Sequence, residues 1–260
     1  MRQIKGISVR YYKTYADEYI ESNNQNCKLQ DNYKWFRQNI EYRLISFIIY
    51  GLACAFGCFY SRLILHITIR NRKILHSYKN TGYFLYGNHT QPIGDVFIPS
   101  QLVFPKRMYT VASTANLGIP VIGKLLPLMG ALPIPESYQD MKKFLNAIKY
   151  HIADQKCIVI YPEAHVWPYC CFLRPFPITS FQFPVSTKSP AFCMTTTYQK
   201  RRIGKKPKIT VYIDGPFCPD KSLKQKEQQK RLCSEIYNCM TNRSRHSTYE
   251  YIQYRKEPEQ

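Results

Sequence analysis

Length, composition and charge limit the classes of protein that this chain can form. Its 260 residues are 45% hydrophobic, which is enough for a sizeable core and excludes a disordered chain. Lys and Arg outnumber Asp and Glu by 37 to 17, and the formal net charge of +20 favours a polyanionic partner, either nucleic acid or an anionic membrane surface.

The N-terminal region and the cysteines indicate a compartment. The first 43 residues are polar and basic rather than a secretory signal, and none of the ten cysteines forms a C-x-x-C pair. We therefore expect reduced thiols in a protein that faces the cytoplasm, and we expect no zinc site.

An uncharged stretch follows at residues 44–60, and Arg62 separates it from a second apolar run at residues 63–69. The first run is at the lower limit for a spanning helix, which needs about 20 apolar residues. Basic residues flank both sides, so the positive-inside rule gives no direction. Three alternatives stay open: a helix or helical hairpin that dips into one leaflet, a single span, and a buried helix of a soluble domain.

From residue 81 onward, apolar strands alternate with amphipathic helices. The predicted strands are 82–88, 107–113, 157–163, 190–198 and 208–215, and the predicted helices are 137–153, which has an S-x-x-D cap, and 220–240. This order predicts an α/β fold with a mostly parallel central sheet covered by helices, preceded by an N-terminal membrane-associated helical segment. The predicted regions are a basic N-terminal region (1–43), a membrane-associated helix or helical hairpin (44–80), an α/β domain (81–245) and a polar C-terminal tail (246–260).

The stretch NHTQPIGD, residues 88–95, carries the residues best suited to proton transfer. It follows a predicted strand, at the position where open α/β sheets place their sites. His89 can accept a proton at neutral pH, and Asp95 can fix its tautomer if the intervening turn folds back. A lone histidine on a loop is more often structural than catalytic. Two further blocks favour a catalytic role: GALPIPE at 130–136 and IYPEAHVWP at 160–168. In the second block Glu163 follows a buried strand, where a carboxylate needs polar partners.

The order of these blocks resembles the lysophospholipid acyltransferase family, the PlsC-like 1-acylglycerol-3-phosphate acyltransferases. The first block of that family is Asn-His, four residues and Asp, and NHTQPIGD is similar to it. GALPIPE resembles the second block, YPEAHVW keeps the Tyr-Pro-Glu of the third, and SPAFCMTTTY resembles the Pro-led apolar strand of the fourth. The resemblance covers roughly residues 44–215.

The resemblance implies a role for each matching residue. His89 is expected to deprotonate the acceptor hydroxyl, with Asp95 orienting it, and backbone N–H groups near Gly130 are expected to stabilise the oxyanion. The residues predicted to bind substrate are Asn88, Gly130, Glu163, His165 and Arg174. No cofactor and no metal are expected beyond the acyl donor, which is acyl-CoA or acyl carrier protein.

The chain departs from the family pattern in the first three blocks, and in the third block Ala164 and His165 replace Gly and Thr. Five residues, rather than four, separate His89 from Asp95. The arginines that the family associates with the acceptor's phosphate are replaced by Glu136 and Val166. We expect Arg174 to take their place. Other basic candidates are Lys106, Arg107 and Lys124.

The sequence therefore predicts an acyltransferase at the cell membrane, with its catalytic domain on the cytoplasmic side. The expected reaction moves a fatty acyl group from an acyl thioester to a lysophospholipid hydroxyl, first of all that of 1-acylglycerol-3-phosphate, in phospholipid biosynthesis. The alternatives are an uncharged or zwitterionic acceptor and a catalytically degenerate lipid-binding homologue. A nucleic-acid-binding protein would explain the charge but not the apolar residues 44–60, so no nucleic-acid partner is expected.

Overall fold

The computed structural model describes residues 2–4, 7–20, 27–30, 33–35 and 37–258. The strands are β1 (Arg2–Ile4), β2 (Ile7–Tyr12), β3 (Thr68–Arg70), β4 (Tyr83–Gly87), β5 (Met108–Ala112), β6 (Ala131–Pro133), β7 (Cys157–Ile160), β8 (Ala191–Gln199), β9 (Lys208–Phe217) and β10 (Ile252–Lys256). The helices are α1 (Ile40–Phe59), which continues into a π-helical turn (Tyr60–Ile64), α2 (Lys73–His76), α3 (Gly94–Val103), α4 (Ile122–Leu125), α5 (Tyr138–Ala153), α6 (Gln182–Thr187) and α7 (Gln225–Ser244).

A seven-stranded sheet in the order β3-β9-β8-β4-β7-β5-β6 forms the centre of the molecule. All neighbouring strands in it are parallel except β8 and β9, which are antiparallel. The prediction of an α/β fold with a mostly parallel sheet is thus confirmed. The strands β4, β7 and β8 end at the same edge of the sheet, which we call the carboxyl edge.

Helices cover both faces of this sheet, which is why its central strands are apolar throughout. Alternate residues of β4 point to opposite faces. Phe84 and Tyr86 join the core cluster that includes buried residues of α5 and α7, whereas Tyr83 and Leu85 join the cluster that includes α3. The capped start of α5 is as predicted, because the Ser137 side chain accepts a hydrogen bond from the backbone N–H of Asp140.

Helix α1 begins at Ile40, four residues before the predicted apolar segment, and Asn39 caps it. With its π-helical turn it is one continuous apolar helix, so the helical hairpin alternative is wrong. The residues after it enter the edge strand β3 rather than a second apolar helix. The helix Ile40–Ile64 is long and apolar enough to cross a membrane. It has a mean hydropathy of 1.8, and 17% of its 18-residue apolar window is buried. That exposure also argues against a buried helix of a soluble domain.

The predicted region boundaries need correction at both ends. Strand β3 pairs with β9, and Leu75 of α2 is buried, so the α/β domain begins before residue 81. The predicted polar tail contributes β10, which pairs in parallel with β2 of the predicted N-terminal region in a small sheet of order β1-β2-β10. Short strands like these carry little periodic signal. Residues 1, 5–6, 21–26, 31–32, 36 and 259–260 of the predicted terminal regions lie outside the described residues.

Candidate active site

His89 and Asp95 meet at the carboxyl edge, although one extra residue separates them. His89 Nδ1 lies 2.9 Å from Asp95 Oδ2. The spacer closes into a turn, because the N–H of Asp95 bonds the carbonyl of Gln91 and the N–H of Gln91 bonds Asp95 Oδ2 at 2.9 Å. Asp95 lies in the first turn of α3, where the helix dipole stabilises a carboxylate.

The contact with Asp95 orients the His89 ring so that its other nitrogen is available for proton transfer. The side chain of Asp95 is 3% exposed, whereas that of His89 is 20% exposed. A carboxylate only accepts hydrogen bonds, so Nδ1 of a neutral His89 carries the proton and Nε2 is left as the basic nitrogen.

Tyr161, the first residue of the Tyr-Pro-Glu block, braces this pair. Its ring stacks on the His89 ring, with centroids 4.5 Å apart, and its hydroxyl donates to the backbone carbonyl of Asp95 at 2.6 Å. Burial raises the pKa of Tyr161 well above its ordinary value, so the phenol stays protonated and keeps donating. This role is not evident from the sequence, since an aromatic residue at that position is equally typical of a core residue.

The loop after β4 is anchored to strand β8 through Tyr198, which sequence reasoning missed. The Tyr198 hydroxyl lies 2.7 Å from Thr90 Oγ1, and Gln91 Nε2 donates to it at 2.8 Å. Burial raises the pKa of Tyr198 as well. Asn88 exchanges two hydrogen bonds with the backbone of Thr196, at 3.0 and 2.8 Å. Its buried amide is therefore a link between loop and sheet, and the prediction that Asn88 binds substrate is corrected.

Glu163 and Arg174 form a buried ion pair behind the loop. Glu163 Oε2 accepts hydrogen bonds from the backbone N–H of His89 and from Arg174 Nη2, both at 2.9 Å. Glu163 Oε1 accepts the backbone N–H of Arg174 at 2.8 Å. The carboxylate thus fixes the backbone of His89.

Arg174 does not have the position predicted for a phosphate ligand. It is 1% exposed, its guanidinium also donates to the carbonyl of His165, and it stacks over the fully buried Trp167, 4.7 Å from the ring centroid. A buried carboxylate requires a partner, and Arg174 is that partner for Glu163. Spacing along the chain places a cation near this block, but it does not reveal that the cation is buried.

Two other predicted site residues also make contacts of a different kind. His165 is about one third exposed, and its Nδ1 lies 3.4 Å from Glu18 Oε1 in the N-terminal region. Gly130 has a φ of 98°, and its N–H bonds the carbonyl of Pro127 at 3.2 Å. The neighbouring N–H groups at 129 and 131 are bonded within the same turn. The expected oxyanion donors near Gly130 are therefore already used, and β6 lies three strands away from β4.

Two of the three other basic residues considered as phosphate ligands donate hydrogen bonds to backbone carbonyls. Lys106 donates to the carbonyls of Thr81 and Gln155. Arg107 donates to the backbone carbonyls of Ser46 and Leu128, and so fastens α1 to the sheet. Lys124 on α4 is exposed.

The third block has local backbone strain at Ala164, one of the positions where the chain departs from the family pattern. Ala164 has a φ of 62°, in the left-handed region that favours glycine. The family has a glycine at this position, and a residue with a Cβ there costs about 1–2 kcal/mol.

One cluster of potential metal ligands was not predicted. Single ligand atoms of Cys193, Asp214 and Cys239 lie within 4.8 Å of one another. Asp214, however, already forms a two-bond ion pair with Arg243, at 2.8 and 2.6 Å. We assign no step to this cluster, and the expectation that no metal takes part stays a prediction. All ten cysteines are in the described part of the chain, and all are free thiols.

Comparison with known proteins shows which family and which fold this chain resembles. Residues 66–181, which contain the His89–Asp95 pair and the Glu163–Arg174 pair, match the family model described as Acyltransferase. This central segment is therefore similar to an acyltransferase domain. The fold of the chain is PlsC-like: the crystal structure of the 1-acyl-sn-glycerophosphate (LPA) acyltransferase PlsC from Thermotoga maritima superimposes with a TM-score of 0.51 and 13% sequence identity, over 79% of this chain and 95% of that chain. A search of curated proteins found no match.

Proposed function

We propose that this chain moves a fatty acyl group from an acyl thioester, either acyl-CoA or acyl carrier protein, to a hydroxyl of a lysophospholipid at a membrane surface. The observation that carries the proposal is the His89–Asp95 pair. Its carboxylate is buried, its imidazole is partly open, and it lies within the segment that matches the acyltransferase family.

The chemistry follows from the orientation of the imidazole. The acceptor hydroxyl gives its proton to His89 Nε2 while its oxygen attacks the thioester carbonyl, and Asp95 stabilises the imidazolium that forms. The tetrahedral intermediate then collapses, the C–S bond breaks, and His89 returns the proton to the leaving thiolate. General acid–base catalysis of this kind contributes about 10²–10⁴-fold to the rate.

An apolar surface beside the pair supports a lipid acceptor. Ile93 and Val96, which flank Asp95 along the chain, are each 50% exposed. Helix α1 packs against α3 close to them, with the ring of Phe97 lying against Gly57 and 5.4 Å from the ring of Phe56. The outer side of α1 is apolar and largely exposed. Apolar surface therefore extends from the catalytic loop towards the helix that is best suited to contact lipid.

The contacts of α1 favour an in-plane position in one leaflet over a span. Ser46 Oγ donates to Leu128 O at 2.7 Å, Met108 N donates to the Tyr50 hydroxyl at 3.2 Å, and Gln101 donates to Ser61 Oγ. These contacts extend over about 22 Å of helix at 1.5 Å per residue. A perpendicular span would draw the attached polar domain into the hydrocarbon. Together with the free thiols, this supports association with the cytoplasmic side of the cell membrane.

The contacts of the basic side chains near the site favour a second class of acceptor. The family's arginines are absent, Arg174 is buried in an ion pair, and Arg107 is bonded to α1. A phosphomonoester needs a cation beside it in a partly desolvated site. An acceptor with an uncharged or zwitterionic head group would not have that requirement.

The experiment that tests the proposal is acylation of a panel of labelled lysolipids with both donor types, followed by mass spectrometry of the products. Acylation of 1-acylglycerol-3-phosphate above all others supports the first acceptor class, and preference for a lysophosphatidylcholine or a monoacylglycerol supports the second. Binding of lysolipids without acylation by either donor would contradict the proposal and identify a lipid-binding homologue without activity.

A further inference from the structure

The turn between β8 and β9 carries the densest cluster of positive charge that projects from the carboxyl edge. Residues 200–208 read KRRIGKKPK, so six of nine residues are basic and none is acidic. We call this segment the basic hairpin. We propose that it binds the head groups of anionic phospholipids and holds the carboxyl edge at a charged membrane surface.

The tip of the basic hairpin has the composition of a membrane-contacting loop. Ile203 is 89% exposed and lies between Arg202 and Lys205, which are exposed too. Gly204 has a φ of 91°, which allows the chain to turn back at that point. A single exposed isoleucine is ordinary on a protein surface. An isoleucine surrounded by cations, however, suits the boundary between head groups and acyl chains.

The position of the hairpin links it to the apolar helix. Arg201 donates to the carbonyl of Leu65, directly after the π-helical turn that ends α1, and to the carbonyl of Pro207, both at 3.0 Å. Leu63 and Ile64, just before that contact, are 60% and 50% exposed. The cations are thus fastened next to the end of the apolar helix, where a membrane-bound helix meets the head groups.

The hairpin also lies at the same edge of the sheet as His89. Gly87, the last residue of β4, pairs with Met194 of β8. Strand β8 then continues for five residues to Gln199, which is about 17 Å at 3.3 Å per residue. The hairpin therefore begins just after Tyr198, the strand residue to which the loop that carries His89 is anchored.

A membrane explains this surface better than a nucleic acid does. Proteins that bind single strands combine cations with aromatic side chains on which the bases stack, and residues 200–208 contain no aromatic residue. The hairpin has an aliphatic residue at its tip instead and lies beside an apolar helix. This inference rests on the proposed membrane association but not on acyl transfer, so vesicle binding and turnover test them separately.

The test is flotation of the full-length protein with vesicles of phosphatidylcholine alone and of phosphatidylcholine mixed with phosphatidylglycerol. The hairpin variant is Arg202→Gln/Lys205→Gln/Lys206→Gln. A matched control removes three exposed charges from α5 and α7: Lys142→Gln/Lys149→Gln/Lys226→Gln.

We expect the hairpin variant to bind anionic vesicles about a hundredfold more weakly, at about fivefold for each basic residue lost, while the control stays within about twofold of the parent. The difference should disappear on neutral vesicles and at high salt. Ile203→Ser should weaken binding to both vesicle types, because it removes an inserted side chain rather than a charge.

Three results would overturn the inference. The hairpin variant and the control lose equal affinity, in which case only total charge matters. Alternatively, the hairpin variant binds anionic vesicles as the parent does. Finally, it keeps vesicle binding but loses binding to a single-stranded RNA, which would assign the surface to nucleic acid. Melting temperatures of all variants, together with turnover on detergent-dispersed lysolipid, establish that the folded enzyme is being compared.

Discussion

The buried Glu163–Arg174 pair predicts that Arg174→Ala destabilises the fold rather than weakening substrate binding. The substitution leaves the Glu163 side chain, which is 1% exposed, without its charge partner. Removing one member of a buried ion pair costs about 3–5 kcal/mol. Glu163 would keep two of its hydrogen bonds, from the backbone N–H groups of His89 and residue 174. We therefore expect the lower end, about 3 kcal/mol.

A loss of that size is easy to measure by thermal unfolding. For a chain of this length each kcal/mol lowers the melting temperature by about 2–4 °C, so Arg174→Ala should melt about 6–12 °C below the parent. Circular dichroism in a mild detergent follows the transition. Arg174→Lys should give an intermediate value, because the charge is kept but the planar fork is lost.

The double variant Glu163→Gln/Arg174→Met separates a buried pair from a general packing defect. It removes both charges while a glutamine oxygen still accepts a backbone N–H, so the double variant should melt above Arg174→Ala. The reasoning is refuted if Arg174→Ala melts within about 2 °C of the parent while KM for 1-acylglycerol-3-phosphate rises about tenfold. That pair of results would restore Arg174 as a substrate ligand.

Three further predictions follow from single side chains. Tyr198→Phe removes the hydroxyl that anchors the loop with His89. In steady-state assays kcat should fall about tenfold, while KM stays within about twofold of the parent value. An unchanged kcat would mean that the loop needs no such anchor. Burial lowers the pKa of His151 from 6.5 to about 4. Below about pH 6.5 the unfolded chain therefore binds a proton that the folded chain excludes. The free energy of unfolding should fall by about 3 kcal/mol as the pH drops towards 4. His151→Phe, which keeps a ring against Tyr109, should flatten that dependence in urea unfolding, and a parent whose urea midpoint is constant from pH 6.5 to 4 would contradict the assignment. Asp95→Asn should keep more turnover than His89→Ala in the same transfer assay, because an unsupported imidazole can still accept a proton, and equal losses would mean that Asp95 does more than orient the ring.

The elements that the sequence predicts well are those with a strong local signal. Strands β4 and β7 are continuous apolar runs, and α5 has both a capped start and a buried stripe of Phe144, Ile148 and Ile152. Strands β3 and β10 were missed, because they are short and are defined by partners far away in the chain. The single helix α1 was also harder to predict, since Arg62 interrupts its apolar pattern without ending the helix.

The candidate site shows the same difference between local features and long-range contacts. The His89–Asp95 pair is local, so its residues and spacing predict it, and the structure shows how the extra residue is accommodated. Tyr198 lies 108 residues beyond Thr90, and no spacing connects them. Arg174 was assigned to the wrong partner because sequence distance from Glu163 reports proximity but not burial. Burial and long-range pairing are properties of the folded chain, and a local sequence pattern does not reveal them.

The measurement that tests the central claim most directly is turnover of purified His89→Ala with a labelled acyl thioester and the best lysophospholipid acceptor. We predict a loss of at least about a hundredfold relative to the parent, since the base is removed. The melting temperature should stay within about 2 °C, because the ring is at the edge of the core. A His89→Ala protein that is folded and turns over within a few-fold of the parent would contradict proton transfer by His89, and with it the mechanism proposed for this chain.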